Sequence, residues 1–138
     1  MAIELTGLFT MMLGVWYPRN YVVAAIDPED GHDAVRALGD AGFGTRAVHL
    51  TPGSGVLDIR RQIDAQRSPL ERMASTVSHA VTDEGLMSQQ YFDEAGAGAS
   101  IIAVLAPESQ QVTDAGRILR TQRARRIRFY GDNTITDL

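Results

Sequence analysis

Two stretches are apolar on consecutive positions rather than alternate ones: Tyr21-Val-Val-Ala-Ala-Ile26 and Ile101-Ile-Ala-Val-Leu-Ala106. Runs of this length, rich in β-branched residues and closed by Asp27-Pro28 and by Pro107, predict strands buried on both faces. After the first, Asp27 stands at an N-cap and Pro28 at the first helical position. Ala34, Val35 and Leu38 then form the inward stripe of a helix to about Ala41, with Gly42 as its stop. Thr45 to Leu50 alternates as a second strand, with Arg46, Val48 and Leu50 on one face and Ala47 and His49 on the other.

Thr51-Pro-Gly-Ser-Gly55 is a turn signal, and Val56 to Ile63 predicts a short helix. Ser68-Pro-Leu-Glu71 has the form of a capping box, followed by Leu70, Met73, Ala74, Val77 and Val81 at helical spacing. Asp83 can cap a further helix carrying Leu86, Met87, Tyr91 and Ala95, ended by Gly96 and Gly98. Beyond the strand 101–106, Pro107-Glu108 opens a helix with Val112, Ala115 and Leu119 inward. Arg125 to Tyr130 is a last strand, with Ile127 and Phe129 one way and Arg126, Arg128 and Tyr130 the other. A turn and a tail, 134–138, follow it.

The order is strand–helix–strand, a helical insert at about 52–97, then strand–helix–strand. Two such units predict an α+β protein with a ferredoxin-like split βαβ sheet, 20–138, preceded by an apolar N-terminal arm, 1–19. A flavodoxin-like α/β sheet with all strands parallel is the alternative. A split sheet carries its own helices on one face only, yet the two central strands are apolar on both. The insert, the arm or a second subunit must cover the other face. The arm lacks a positive n-region and is shorter than the roughly 20 apolar residues of a spanning helix, so no membrane span is expected.

Composition narrows the chemistry. The chain has 138 residues, no Cys and a formal net charge of −4. Disulfides, thiolate metal sites and cysteine nucleophiles are excluded. All 13 basic residues are Arg, which excludes Schiff-base and P-loop lysines. The acidic balance argues against bulk attraction to DNA. Charge is uneven, however: residues 117–128 hold Arg117, Arg120, Arg123, Arg125, Arg126 and Arg128 and no acid. Such a segment meets an anion, or acidic surface on the same or another subunit.

Four stretches resemble a family of small bacterial proteins of the general-stress or heat-induced type. They are Val22-Val-Ala-Ala-Ile-Asp-Pro28; Ala37-Leu38 with Ala41-Gly-Phe43; Tyr91-Phe-Asp-Glu-Ala95 with Gly98 and the strand after it; and Phe129 to Leu138. The resemblance spans residues 20–138, and Asn133 departs from it where an aromatic residue is expected. It implies a cytoplasmic, ferredoxin-like domain in a stress context, and supplies no catalytic residues.

Three groups of side chains are candidates for binding. Gly53, Ser54 and Gly55 lead from a strand into a helix carrying Arg60 and Arg61, where backbone N–H groups can receive phosphate or carboxylate. His49 points from a strand among apolar neighbours, as a core histidine, a base or a haem ligand would. Arg117, Arg120, Arg126, Arg128 and Tyr130 combine guanidinium groups with an aromatic ring, the chemistry of a stacking platform for single-stranded RNA or of a subunit contact. His32, His49 and His79 fall on separate elements at no metal-ligand spacing, and the acids Asp83-Glu84 and Asp93-Glu94 read as caps or solvated faces. No catalytic group, metal or cofactor is assigned. The reading is a non-enzymatic, homo-oligomeric stress-response or regulatory module. The alternatives are an RNA- or ribosome-associated binder and a small-ligand or haem pocket protein.

Overall fold

The computed structural model describes residues 18–65, 83–132 and 134–138. The apolar stretch 1–17, the Ser68 capping box with its helix, and His79 lie outside the described residues. Among those described, the order is β1 (Tyr21–Ile26), α1 (Pro28–Asp40), β2 (Val48–Thr51), α2 (Gly53–Ala65) and α3 (Asp83–Gly96). Then follow β3 (Ser100–Leu105), α4 (Ser109–Thr121), β4 (Arg125–Tyr130) and β5 (Ile135–Asp137). One sheet holds the strands in the order β2-β3-β1-β4-β5, and each neighbouring pair is antiparallel. The protein is α+β. The flavodoxin-like alternative is corrected: it requires parallel neighbours, and β1 runs against both β3 and β4.

Several local expectations shift by a turn or a partner. Asp27 occupies the N-cap of α1 with extended backbone but makes no side-chain capping bond. Its carboxylate instead accepts from Arg125 Nη1 at 3.0 Å, an ion pair that ties the α1 entry to β4. At the other end Gly42 takes φ +101°, and Phe43 N–H reaches back to the Leu38 carbonyl at 3.1 Å, closing the helix as a left-handed cap does. β2 begins at Val48 rather than Thr45, because Ala47 N–H is drawn into a turn on the Gly44 carbonyl at 2.9 Å. α2 begins at Gly53, so the turn signal around Pro52 supplies the first turn of the helix. Glu108 and Gln111 cap α4 reciprocally as a capping box. The C-terminal tail forms a fifth strand on β4, fastened further by Leu138 N–H donating to the Ile127 carbonyl at 2.9 Å.

The sheet separates two cores. On one face Val22, Ala24, Ile26, Val48, Ile102, Val104 and Ile127 pack with Ala34 and Leu38 of α1 and Ala115, Ile118 and Leu119 of α4. On the other, Val23, Ala25, Ile101 and Ala103 pack with Val56 of α2 and Tyr91 and Ala95 of α3. The insert helices thus cover the second apolar face within the same chain. Burial of each large aliphatic side chain stabilises the fold by about 1.5–3 kcal/mol.

The insert closes tightly where it leaves and rejoins the sheet. A Cβ on Gly53 would lie 2.5 Å from the Ala95 carbonyl oxygen and 2.6 Å from that of Ala99, both backbone atoms that cannot rotate aside. On Gly39, in α1, a Cβ meets nothing within 4 Å. Gly39→Ala is expected to raise unfolding stability by about 0.5–1 kcal/mol, the helix-propensity difference. Gly53→Ala is expected to lower it by at least about 2 kcal/mol through overpacking. Urea unfolding of the two variants beside the parent chain checks both signs.

Candidate functional site

The register of the sheet lines up one residue from each strand on the insert-covered face. His49 of β2 lies opposite Ala103 of β3, Ala103 opposite Val23 of β1, Val23 opposite Arg128 of β4, and Arg128 opposite Asp137 of β5. The row has polar groups at both ends and two small apolar side chains between them. At about 4.8 Å per strand, His49 and Arg128 stand roughly 14 Å apart. His49 is 3% exposed and Arg128 8%.

A β-bulge in β4 builds the Arg128 end. Val23 pairs with Arg128 but Ala25 pairs with Arg125, so Arg126 and Ile127 together oppose Ala24. Arg126 carries the extra residue's strain, with φ +52°, a left-handed conformation costing about 1 kcal/mol or more in a non-glycine residue. The bulge leaves the Arg126 carbonyl turned toward α3, where the Tyr91 hydroxyl donates to it at 2.5 Å, with the Val23 carbonyl 3.2 Å away. It also moves Arg125 onto the same face as Arg128. Arg125 there bonds Glu94 of α3 at 3.2 Å, and Arg126 lies 3.5 Å from the same carboxylate.

The Arg128 guanidinium is held on two sides. Nε donates to Asp137 Oδ1 at 2.9 Å and Nη2 to Gln90 Oε1 at 2.7 Å, while the Tyr91 ring centroid lies 5.6 Å from Cζ. Among the described residues neither Nη1 nor Thr51 Oγ1, further along the same face, has a hydrogen-bond partner, and both atoms are sealed from solvent. A buried polar group left without a partner costs about 1–3 kcal/mol, and more when charged. Burial pushes the Tyr91 phenol well above the ordinary tyrosine range, opposed in part by Arg128 and the Tyr130 hydroxyl beside it.

The sequence-selected residues do not converge on one site. Gly53 is buried against the Ala95 and Ala99 carbonyl oxygens, whereas Ser54 is exposed and Gly55 is half-buried. Arg60 and Arg61 sit roughly 10 Å further along α2. Arg61 pairs with Asp58. Arg60 lies over the Phe92 ring, 4.8 Å from its centroid, and bonds Gln89 at 3.3 Å. His49 belongs to the sheet row instead, with the Tyr21 ring 5.9 Å away.

The arginine cluster is divided by the sheet. Arg117 and Arg120 are exposed on α4, while Arg128 and Tyr130 are buried under α3 on the opposite face. They form no common open platform. Acids of the same chain meet Arg117 through Asp114 at 3.6 Å and Arg125 through Asp27 and Glu94. Sequence reading passed over Gln90 and took Tyr91 as an ordinary stripe residue. The available signal for Tyr91 was its hydroxyl, which needs a partner wherever the ring is buried.

Among the described residues no group of three or more His, Asp or Glu is placed to hold a metal, and no helix is long and apolar enough to cross a membrane. No family model, curated protein or solved structure matches the chain.

Tyr91→Phe is expected to lower stability by about 1–3 kcal/mol, since the bulge carbonyl loses its donor. In the parent chain a phenol that resists ionisation when folded releases its proton on unfolding. Stability from this group is therefore full below about pH 10 and falls as pH rises further. Urea midpoints from pH 8 to 11 should fall in the parent and fall less in Tyr91→Phe.

Proposed function

We propose that the chain is a non-catalytic regulatory module that binds a small molecule between its insert helices and its sheet. One observation carries the reading. Among the described residues, on a face built mainly of Val, Ala, Ile and Tyr beside the buried His49, two polar atoms, Thr51 Oγ1 and Arg128 Nη1, are buried without hydrogen-bond partners. Polar atoms retained without partners in an apolar layer are the features that fix a ligand's orientation in a mostly apolar site. The order β2-β3-β1-β4 with antiparallel neighbours supports a ferredoxin-like scaffold for the module. The stress context and cytoplasmic location rest on the family resemblance of residues 20–138.

This reading takes precedence over the other two for stated reasons. A second subunit is one of three covers expected for the second apolar face, and α2 and α3 of the same chain lie over that face. An RNA platform needs Arg128 and Tyr130 on an open surface, and both are buried.

Native mass spectrometry of the purified full chain, beside a denatured sample, tests the reading. The expected result is a monomer or closed oligomer carrying excess mass that vanishes on denaturation. Where purification strips the molecule, a thermal scan against a small-metabolite set should find one that raises the melting temperature on the order of 10 °C at a hundredfold excess over Kd. No excess mass together with no shift from any compound would remove the proposal.

A further inference from the structure

The C-terminal strand is held as an added peptide strand would be. β5 pairs along the outer side of β4, with Phe129 opposite Thr136, and its successive side chains enter different seats. Ile135 packs against the core under the insert. Asp137 returns to that face, where Arg128 Nε donates to its carboxylate at 2.9 Å. Leu138 turns to the other face and packs with the α1 and α4 core. A Cβ on Gly116 of α4 would lie 3.1 Å from Leu138 Cδ1, so the leucine's seat depends on residue 116 having no side chain. Thr134, Thr136 and Asp137 are exposed. A three-residue edge strand with its polar positions in water belongs to the parts of a fold that open most readily.

The turn that returns this strand to β4 is crowded. Gly131 N–H donates to the Thr134 carbonyl at 2.9 Å, and a Cβ on Gly131 would lie 3.2 Å from that same backbone oxygen. We infer that residues 135–138 exchange between copies of this chain: in a two-fold dimer each tail leaves its own β4 and takes the same place on β4 of the other copy. The site itself fixes the occupant. A second copy carries the Ile-Thr-Asp-Leu sequence that the β4 edge, Arg128 and the Gly116 notch already fit. Every contact of the closed tail is remade between chains, so the balance rests on the turn and on concentration. The exchange goes beyond the ligand-binding reading and needs no small molecule.

Sedimentation velocity of the full chain and of Gly131→Val, over a concentration series, reads that balance. The parent is expected to become dimeric only toward about millimolar concentration, the effective concentration of its own tail on a short connection. Gly131→Val is expected to dimerise at a concentration at least about tenfold lower, because the added side chain crowds the closed turn and not the extended one. The chain has no Cys, so introduced thiols are the only ones present. In the Gly131→Val background, chains bearing Phe129→Cys are mixed with chains bearing Thr136→Cys and oxidised in the dimeric range. The expected product is two chains joined by a disulfide, since these positions oppose each other between chains only after exchange. A Gly131→Val chain that stays folded and monomeric to about millimolar concentration would overturn the inference, as would a dimer whose mixed thiols do not join. If Gly131→Val does not fold, the same thiol mixture in the parent background at about millimolar concentration decides by the same outcome.

Discussion

From Val22 to Ile26 and from Ile101 to Val104 the sheet presents no polar side chain to either side. Such strands are stable only between two covering layers, because each exposed face would leave a continuous apolar surface in water. That requirement organises everything else. α1 and α4, the helices of the two βαβ units, cover one face. α2 and α3 cover the other. The insert is therefore structural before it is anything else. Any site on that face must be built from the few polar groups left among the packing residues.

At the β4 end those groups are arranged around one irregularity. A regular β4 would alternate Arg125, Ile127 and Phe129 against Arg126, Arg128 and Tyr130. The bulge breaks the alternation, brings Arg125 and Arg128 to the same face, and turns the Arg126 carbonyl into the space beneath α3. The Tyr91 hydroxyl on that carbonyl is what allows α3 to lie over the irregularity without an orphaned backbone oxygen. Asp27 and Glu94 then fix the outer arginine, and Asp137 and Gln90 the inner one. The three arginines of β4 are to this extent an internal fastening system for the C-terminal half of the sheet.

Much of the architecture was legible in residue order. Tyr21–Ile26 and Ile101–Ala106 announced central strands, Pro28 and Gly42 bounded a helix, and apolar pairs on both faces demanded a second cover. What escaped was whatever depends on partners distant in sequence. Asp27 reads locally as an N-cap, and only the fold shows that Arg125, 98 residues on, claims its carboxylate. The 135–137 strand has too few residues to declare itself by periodicity. The bulge has no Gly or Pro to mark it, since Arg126 bears the positive φ itself. How the candidate residues group was not legible for the same reason. Gly53, Ser54 and Gly55 carried a familiar local signature, whereas Arg128 gains its significance from Gln90, Tyr91 and Asp137 on two other elements.

The close approach at Gly53 bears on how such a chain could have come about. The insert leaves β2 and returns to β3 at one spot, with the start of α2 pressed on the carbonyls of residues 95 and 99. Its two ends are thus held together by the sheet, and the entropy of closing the loop grows only slowly with the number of residues between them. Segments of quite different length could be carried between the same two anchor points without disturbing the strands that bear them. The covering layer is in this sense a replaceable part of an otherwise fixed sheet, open to change by insertion and deletion as well as by substitution.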